Sequence, residues 1–167
     1  DNQSGSPVYA LDKGITECDY GDWQARALKD LPQEDLWKVV QSQPSAAACP
    51  GGESLAAMQA RSVSAVRRLD AAFEAEHGPG AVWVAVTHGD IIKSVLADAL
   101  GMHLDLFQRI NVNPASASIV RYSAARPDVV AVNTDAGDLT WLKAKPTTDD
   151  AQVGGGAGPE AEVSTDS

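Results

Sequence analysis

The sequence predicts an α/β sandwich with a mostly parallel sheet flanked by helices. Three observations lead there. Residues 81–86, AVWVAV, are a continuous apolar run of strand length, the pattern of a strand buried on both faces of a parallel sheet. Helical patterns stand on either side of that run, each closed by glycine. Two further strand-like runs, 116–123 (SASIVRYS) and 128–133 (DVVAVN), complete an order β-α-β-α-β-β.

The elements follow in turn. Val8 to Leu11 is a short strand candidate leading into Gly14. Residues 33–41 form a helix candidate after Pro32, a residue suited to a first helical turn. Pro44 to Gly52 is a loop of small residues. A long amphipathic helix is expected from about Glu53 to Glu76. Its apolar positions Leu55, Met58, Val66, Leu69 and Phe73 recur at three- and four-residue steps, with Ser62 in one slot. Arg61, Arg67, Arg68 and Asp70 lie largely off that stripe. His77-Gly78-Pro79-Gly80 ends the helix, as glycine and proline commonly do. A second helix runs from Asp90 to Leu100 and stops at Gly101. The last two strands, separated around Arg126-Pro127, suggest a hairpin.

Charge and composition narrow the functional classes. The 167 residues carry 13 Lys and Arg against 23 Asp and Glu, a net charge of −10. A general grip on nucleic acid needs basic surface to neutralise phosphates and is not expected. No apolar run reaches the roughly 18–20 residues that cross a bilayer, so no membrane partner is expected. Only two cysteines are present, Cys18 and Cys49. That excludes a disulfide framework and a four-cysteine zinc site and favours a reducing cytoplasm. Residues 146–167 hold Asp149, Asp150, Glu160, Glu162 and Asp166 with no basic residue. They read as a disordered acidic tail, because they cannot bury enough apolar surface to offset ordering. Residues 1–6 read as a frayed start, which leaves 7–145 as one folded unit.

Two places carry candidate chemistry. At Thr87-His88-Gly89-Asp90 a buried strand gives way to a helix, the location where open α/β sheets bind ligands. The free N–H groups and dipole of a helix start favour an anion. Gly89 lets a ligand approach the backbone, and His88 can donate a hydrogen bond or exchange a proton near neutral pH. The same residues also fit a structural role, with Thr87 or Asp90 as helix cap. The second place is Glu17-Cys18-Asp19-Tyr20-Gly21-Asp22-Trp23. A carboxylic acid beside an aromatic wall can have a raised pKa and act as a proton donor. The alternative is a solvated acidic turn anchored by Trp23.

Together these segments resemble the histidine phosphatase superfamily, the phosphoglycerate-mutase-like enzymes. The resemblance runs from about Pro7 to Tyr122. It rests on Glu17 to Trp23, on Pro50-Gly51-Gly52-Glu53-Ser54-Leu55 before a helix with Arg61, and on Val86-Thr87-His88-Gly89 with Ile92, Leu96 and Leu100-Gly101. Asn113 and the strand from Ser116 to Tyr122 complete it. The wording of the first two segments is most similar to an actinobacterial branch labelled phosphoglycerate mutase or phosphomutase. The resemblance implies a three-layer sandwich and a phosphomonoesterase or phosphomutase acting on a small phosphorylated substrate through a phosphohistidine. It implies Glu17 as the catalytic acid/base and His88 as a catalytic histidine contacting the phosphoryl oxygens. Gly89 would supply a backbone donor and Tyr20 a substrate contact. Neither a metal nor another cofactor is implied.

The family's Arg-His-Gly triplet after the first strand, and a later Ser-Pro-x-x-Arg segment, are missing from the sequence. Cys18 stands where mutases have arginine. Roughly the first third of the usual domain, with its first strand or strands, is therefore expected to be absent, and the chain alone to be inactive. The run 81–86 would then keep a bare edge, so self-association or marginal folding is expected. A truncated or degenerate domain that binds a phosphate ligand or a partner without catalysis is the alternative. A metal-assisted hydrolase using His88 and Asp90 is a third, remote reading.

Overall fold

The computed structural model describes residues 9–26 and 28–134. The expected frayed start and acidic tail lie outside these residues, as does Val8. Three α-helices and one hairpin are linked by short 3-10 turns: α1 (Asp35–Ser42), α2 (Leu55–His77), α3 (Gly89–Ala99), β1 (Ala117–Arg121) and β2 (Asp128–Thr134).

The two long helices form where the apolar spacing places them. Helix α2 starts at Ser54, whose hydroxyl accepts the Ala57 N–H at 3.1 Å and satisfies one of the orphan donors of the first turn. It ends at Gly78, which takes φ 88°. Leu55, Met58, Ser62, Ala65 and Val66 are buried on it, while Leu69 and Phe73 are half-buried. The off-stripe side chains make polar ties instead. Arg67 pairs with Asp98 at 2.6 Å and Arg68 with Asp12 at 2.5 Å. Helix α3 packs against α2 and against the 3-10 turn Leu104–Arg109. Leu55, Met58, Ile91, Leu96, Val40 and Phe107 are the heart of the core.

Several expectations need correction. Helix α1 begins at Asp35, and Pro32 lies in a separate 3-10 turn, Leu28–Gln33. Residues 9–11 form no strand. The mostly parallel sheet does not appear among the described residues: the only sheet there is the antiparallel β1–β2 hairpin, in the place the sequence suggested. Residues 81–86 have no ladder partner, and they are not buried on both faces. Val82, Val84 and Val86 are 93%, 82% and 90% exposed. Side chains alternate along an extended chain, and Trp83 points the other way. Its ring stacks on Phe73 of α2 with centroids 5.4 Å apart, and its Nε1–H donates to Asp70 Oδ1 at 3.1 Å. A strand needs a pairing neighbour to become a sheet, and no described segment pairs with this one.

Candidate active site

Two loops and one helix start converge on Glu17. Thr87 donates its hydroxyl to the Ile15 carbonyl at 2.5 Å, which ties the end of the 81–87 segment to the Glu17 loop. The next residue, His88, caps α3 with extended backbone and makes no side-chain cap bond. Its imidazole is left free to face Glu17, with Nδ1 3.9 Å from Glu17 Oε2. The other Glu17 oxygen, Oε1, accepts the Cys18 N–H at 2.9 Å. Gly89 opens α3 and is buried.

The Glu17 loop is shaped from below by the segment 49–53. Asp22 N–H donates to Pro50 O at 2.8 Å, and Glu53 N–H to Asp19 O at 2.9 Å. This approach is too close for side chains. Gly21 has φ 53°, and a Cβ there would meet Pro50 O at 2.2 Å. A Cβ on Gly52 would meet Asp19 O at 2.1 Å. Glycine at these positions is a steric requirement. Cys18 and Cys49 are buried thiols in the same seam, and Trp23 anchors the loop by packing 6.4 Å from Trp37.

Electrostatics set Glu17 apart. Burial lifts its pKa from 4.5 to about 7, because desolvation disfavours the charged form. The Cys18 N–H opposes that rise, the negative field of Asp90 adds to it, and Arg61 and Lys93 oppose it. Glu17 Oε2 is buried without a hydrogen-bond partner. The Glu17 side chain is 21% exposed and that of His88 57%.

Behind them lies a polar network that sequence reasoning missed. Asp90 is fully buried. Its Oδ2 accepts the Tyr20 hydroxyl at 2.8 Å, and its Oδ1 lies 3.5 Å from Lys93 Nζ. Lys93 donates to Gln108 Oε1 at 3.1 Å and sits 5.7 Å from the Phe107 ring centroid. Burial pushes the Lys93 ammonium down, with Asp90 opposing, and pushes the Tyr20 phenol up. The i, i+3 spacing of Asp90 and Lys93 was the available signal. Tyr20 thus commits its proton to Asp90. Among the described residues, no group of three or more His, Cys, Asp or Glu is arranged to hold a metal. No described helix is long and apolar enough to cross a membrane.

The sequence model of the histidine phosphatase superfamily (branch 1) matches residues 2–135. A search of curated proteins returns no match. Solved structures do match. YhfR of Bacillus stearothermophilus is 22% identical, with a TM-score of 0.65 over 75% of this chain and 61% of its own. Mycobacterial hydrolase 1 is 23% identical, with a TM-score of 0.64 over 77% of this chain and 66% of its own. A mutant phosphoserine phosphatase from Entamoeba histolytica, in complex with phosphoserine, is 19% identical, with a TM-score of 0.63 over 78% and 64%. The chain therefore spans less than two thirds of the length of these structures, and the likeness at this identity is one of fold.

Proposed function

The chain belongs to branch 1 of the histidine phosphatase superfamily, and from that premise we propose that it is the acid/base and phosphoryl-binding part of a phosphohistidine phosphomonoesterase or phosphomutase. The observation that carries this reading is the Glu17 carboxyl, raised to about 7 and 3.9 Å from His88 at the head of α3. A glutamate with an ordinary pKa is deprotonated at neutral pH and cannot donate. At about 7 it exists in both forms, as an acid that later serves as base requires.

The residues divide the work. A nucleophilic histidine, which this sequence does not contain in an Arg-His-Gly setting, attacks phosphorus as the ester P–O bond breaks. Glu17 gives its proton to the departing oxygen. The resulting carboxylate then takes a proton from the water that attacks phosphohistidine, which returns Glu17 to the acid form and releases phosphate. His88 and the Gly89 N–H donate to the phosphoryl oxygens as charge builds. The Tyr20 oxygen still has a lone pair for a substrate hydroxyl. A small phosphate monoester is the substrate class, in keeping with the phosphoserine held by the Entamoeba relative.

The missing triplet also favours a second reading, a non-catalytic chain that binds a phosphate ligand or a partner. The coding sequence upstream separates the two: an in-frame Leu-Arg-His-Gly supports the enzyme, and a start codon beside Asp1 supports the binder. The direct test uses the purified chain and p-nitrophenyl phosphate between pH 5 and 8. No steady release above a His88→Ala control is expected, because covalent catalysis needs its nucleophile. Clear turnover would overturn the proposal that the nucleophile lies outside this sequence.

A further inference from the structure

Arg61 is the most fully engaged side chain near the site. Its Nε donates to Glu53 Oε2 at 2.9 Å and its Nη2 to Glu53 Oε1 at 2.5 Å. Nη1 donates to the carbonyls of Gly14 at 3.0 Å and Thr16 at 2.9 Å, and Nη2 to that of Glu17 at 3.0 Å. A guanidinium has five N–H donors in a planar fork, and all five are used. Glu53 in turn accepts the Asp19 N–H on Oε1 at 3.0 Å and donates its own N–H to Asp19 O. A half-buried ion pair between Arg61 of α2 and Glu53, just ahead of the helix, thus grips the loop on both sides of Glu17.

We propose that Arg61, held in place by Glu53, is the positioning residue for Glu17: its fork fixes the backbone from Gly14 to Glu17 and so sets the carboxyl beside His88. The inference rests on Glu17 being the acid/base. The alternative role for an arginine near a phosphate site is to bind the phosphate itself. Here no N–H remains for it, and engaging an anion would break bonds to three carbonyls or to Glu53. A loop carbonyl left unpaired in a half-buried seam costs free energy, so the five bonds form a set that holds or fails together. Lysine cannot replace it, since a single ammonium has three donors and no fork. The groups facing Glu17 are His88, Asp90, Lys93, Tyr20 and the Cys18 N–H, together with Arg61 itself.

The sign of a titration shift separates positioning from simple charge. Arg61 as a nearby cation lowers the Glu17 pKa, so removing its charge without loosening the loop raises that pKa. Loosening the loop hydrates the carboxyl and lowers it. The experiment is a carbon-13 NMR titration of the Glu17 carboxyl in the full chain, with amide hydrogen exchange of residues 14–18, for wild type, Arg61→Lys, Arg61→Met and Glu53→Gln. Positioning predicts that Glu17 falls from about 7 toward 4.5 in all three variants, with faster exchange at 14–18. An unmoved Arg61→Lys titration with a raised Arg61→Met value, and unchanged exchange, overturns it. If the Arg61 variants lose their dispersed spectra, Glu53→Gln decides by the same two readouts. A wild-type Glu17 that titrates near 4.5 defeats the acid/base reading instead, while the exchange rates still decide whether Arg61 holds the loop.

Discussion

Glu17→Gln is expected to stabilise the chain, and to do so only above acidic pH. The Glu17 carboxyl has a folded pKa of about 7 against 4.5 when free. Its folded value is raised, so between these two values the native state binds more protons than the unfolded state. Stability therefore falls as pH rises through that window. The rise corresponds to about 3 kcal/mol at full ionisation, since one pKa unit is about 1.4 kcal/mol. Glutamine keeps the shape and keeps an oxygen for the Cys18 N–H, but it never ionises. Urea unfolding of both proteins between pH 4 and 8 reads the difference. The glutamine variant is expected to match wild type near pH 4, to gain between about 4.5 and 7, and to level off about 3 kcal/mol ahead by pH 8. A pH-independent difference, or a wild type more stable than the variant at pH 8, refutes the claim that this carboxyl is held desolvated.

Other outcomes follow from named contacts. The exposed faces of Val82, Val84 and Val86 beside an unpaired backbone invite association, so sedimentation velocity is expected to show concentration-dependent self-association that Val84→Lys reduces. A monomer at all concentrations contradicts this. Ser54→Ala removes the cap bond to Ala57 and is expected to cost about 1 kcal/mol in urea unfolding; no loss means the cap is dispensable. Gly21→Ala places a Cβ 2.2 Å from Pro50 O at φ 53°. Backbone strain alone then costs on the order of 1–3 kcal/mol, read as a lower melting temperature, and an unchanged one contradicts the close approach of the two loops.

Local features were legible in the sequence, and those set by distant partners were not. Helices α2 and α3 could be read because apolar spacing and the glycines at 78 and 101 are local signals. The β1–β2 hairpin could be read because its strands are close in sequence. Residues 81–86 were expected to lie within a sheet because their composition suits one. Pairing, however, depends on a neighbour, and composition does not reveal whether that neighbour is present. Glu17 and His88 were each candidates, and the structure brings them to 3.9 Å through the Thr87–Ile15 bond. Tyr20 was expected as a substrate contact, and its bond to the buried Asp90 could not be read, because the two residues are far apart in sequence. Arg61 was visible only as part of a motif. Its five acceptors come from two segments, residues 14–17 and Glu53, that fold together around it, and no spacing rule encodes them.

The measurement closest to the central claim compares leaving groups in a protein that joins an Arg-His-Gly strand to this chain. Glu17→Gln is expected to lower kcat on an alkyl phosphate by about 10²–10⁴-fold, the usual contribution of general acid–base catalysis. It should cost far less on p-nitrophenyl phosphate, whose leaving group needs no proton. His88→Ala removes a contact to the phosphoryl group itself, so both substrates should lose a similar factor, on the order of 10²–10³. Equal losses for Glu17→Gln on the two substrates would contradict the account. Asp19 and Asp22 are then the acids to test. Asp22 comes first, because Asp19 Oδ1 is already engaged, accepting the Gly21 N–H at 3.0 Å and the Gln24 side chain at 2.9 Å.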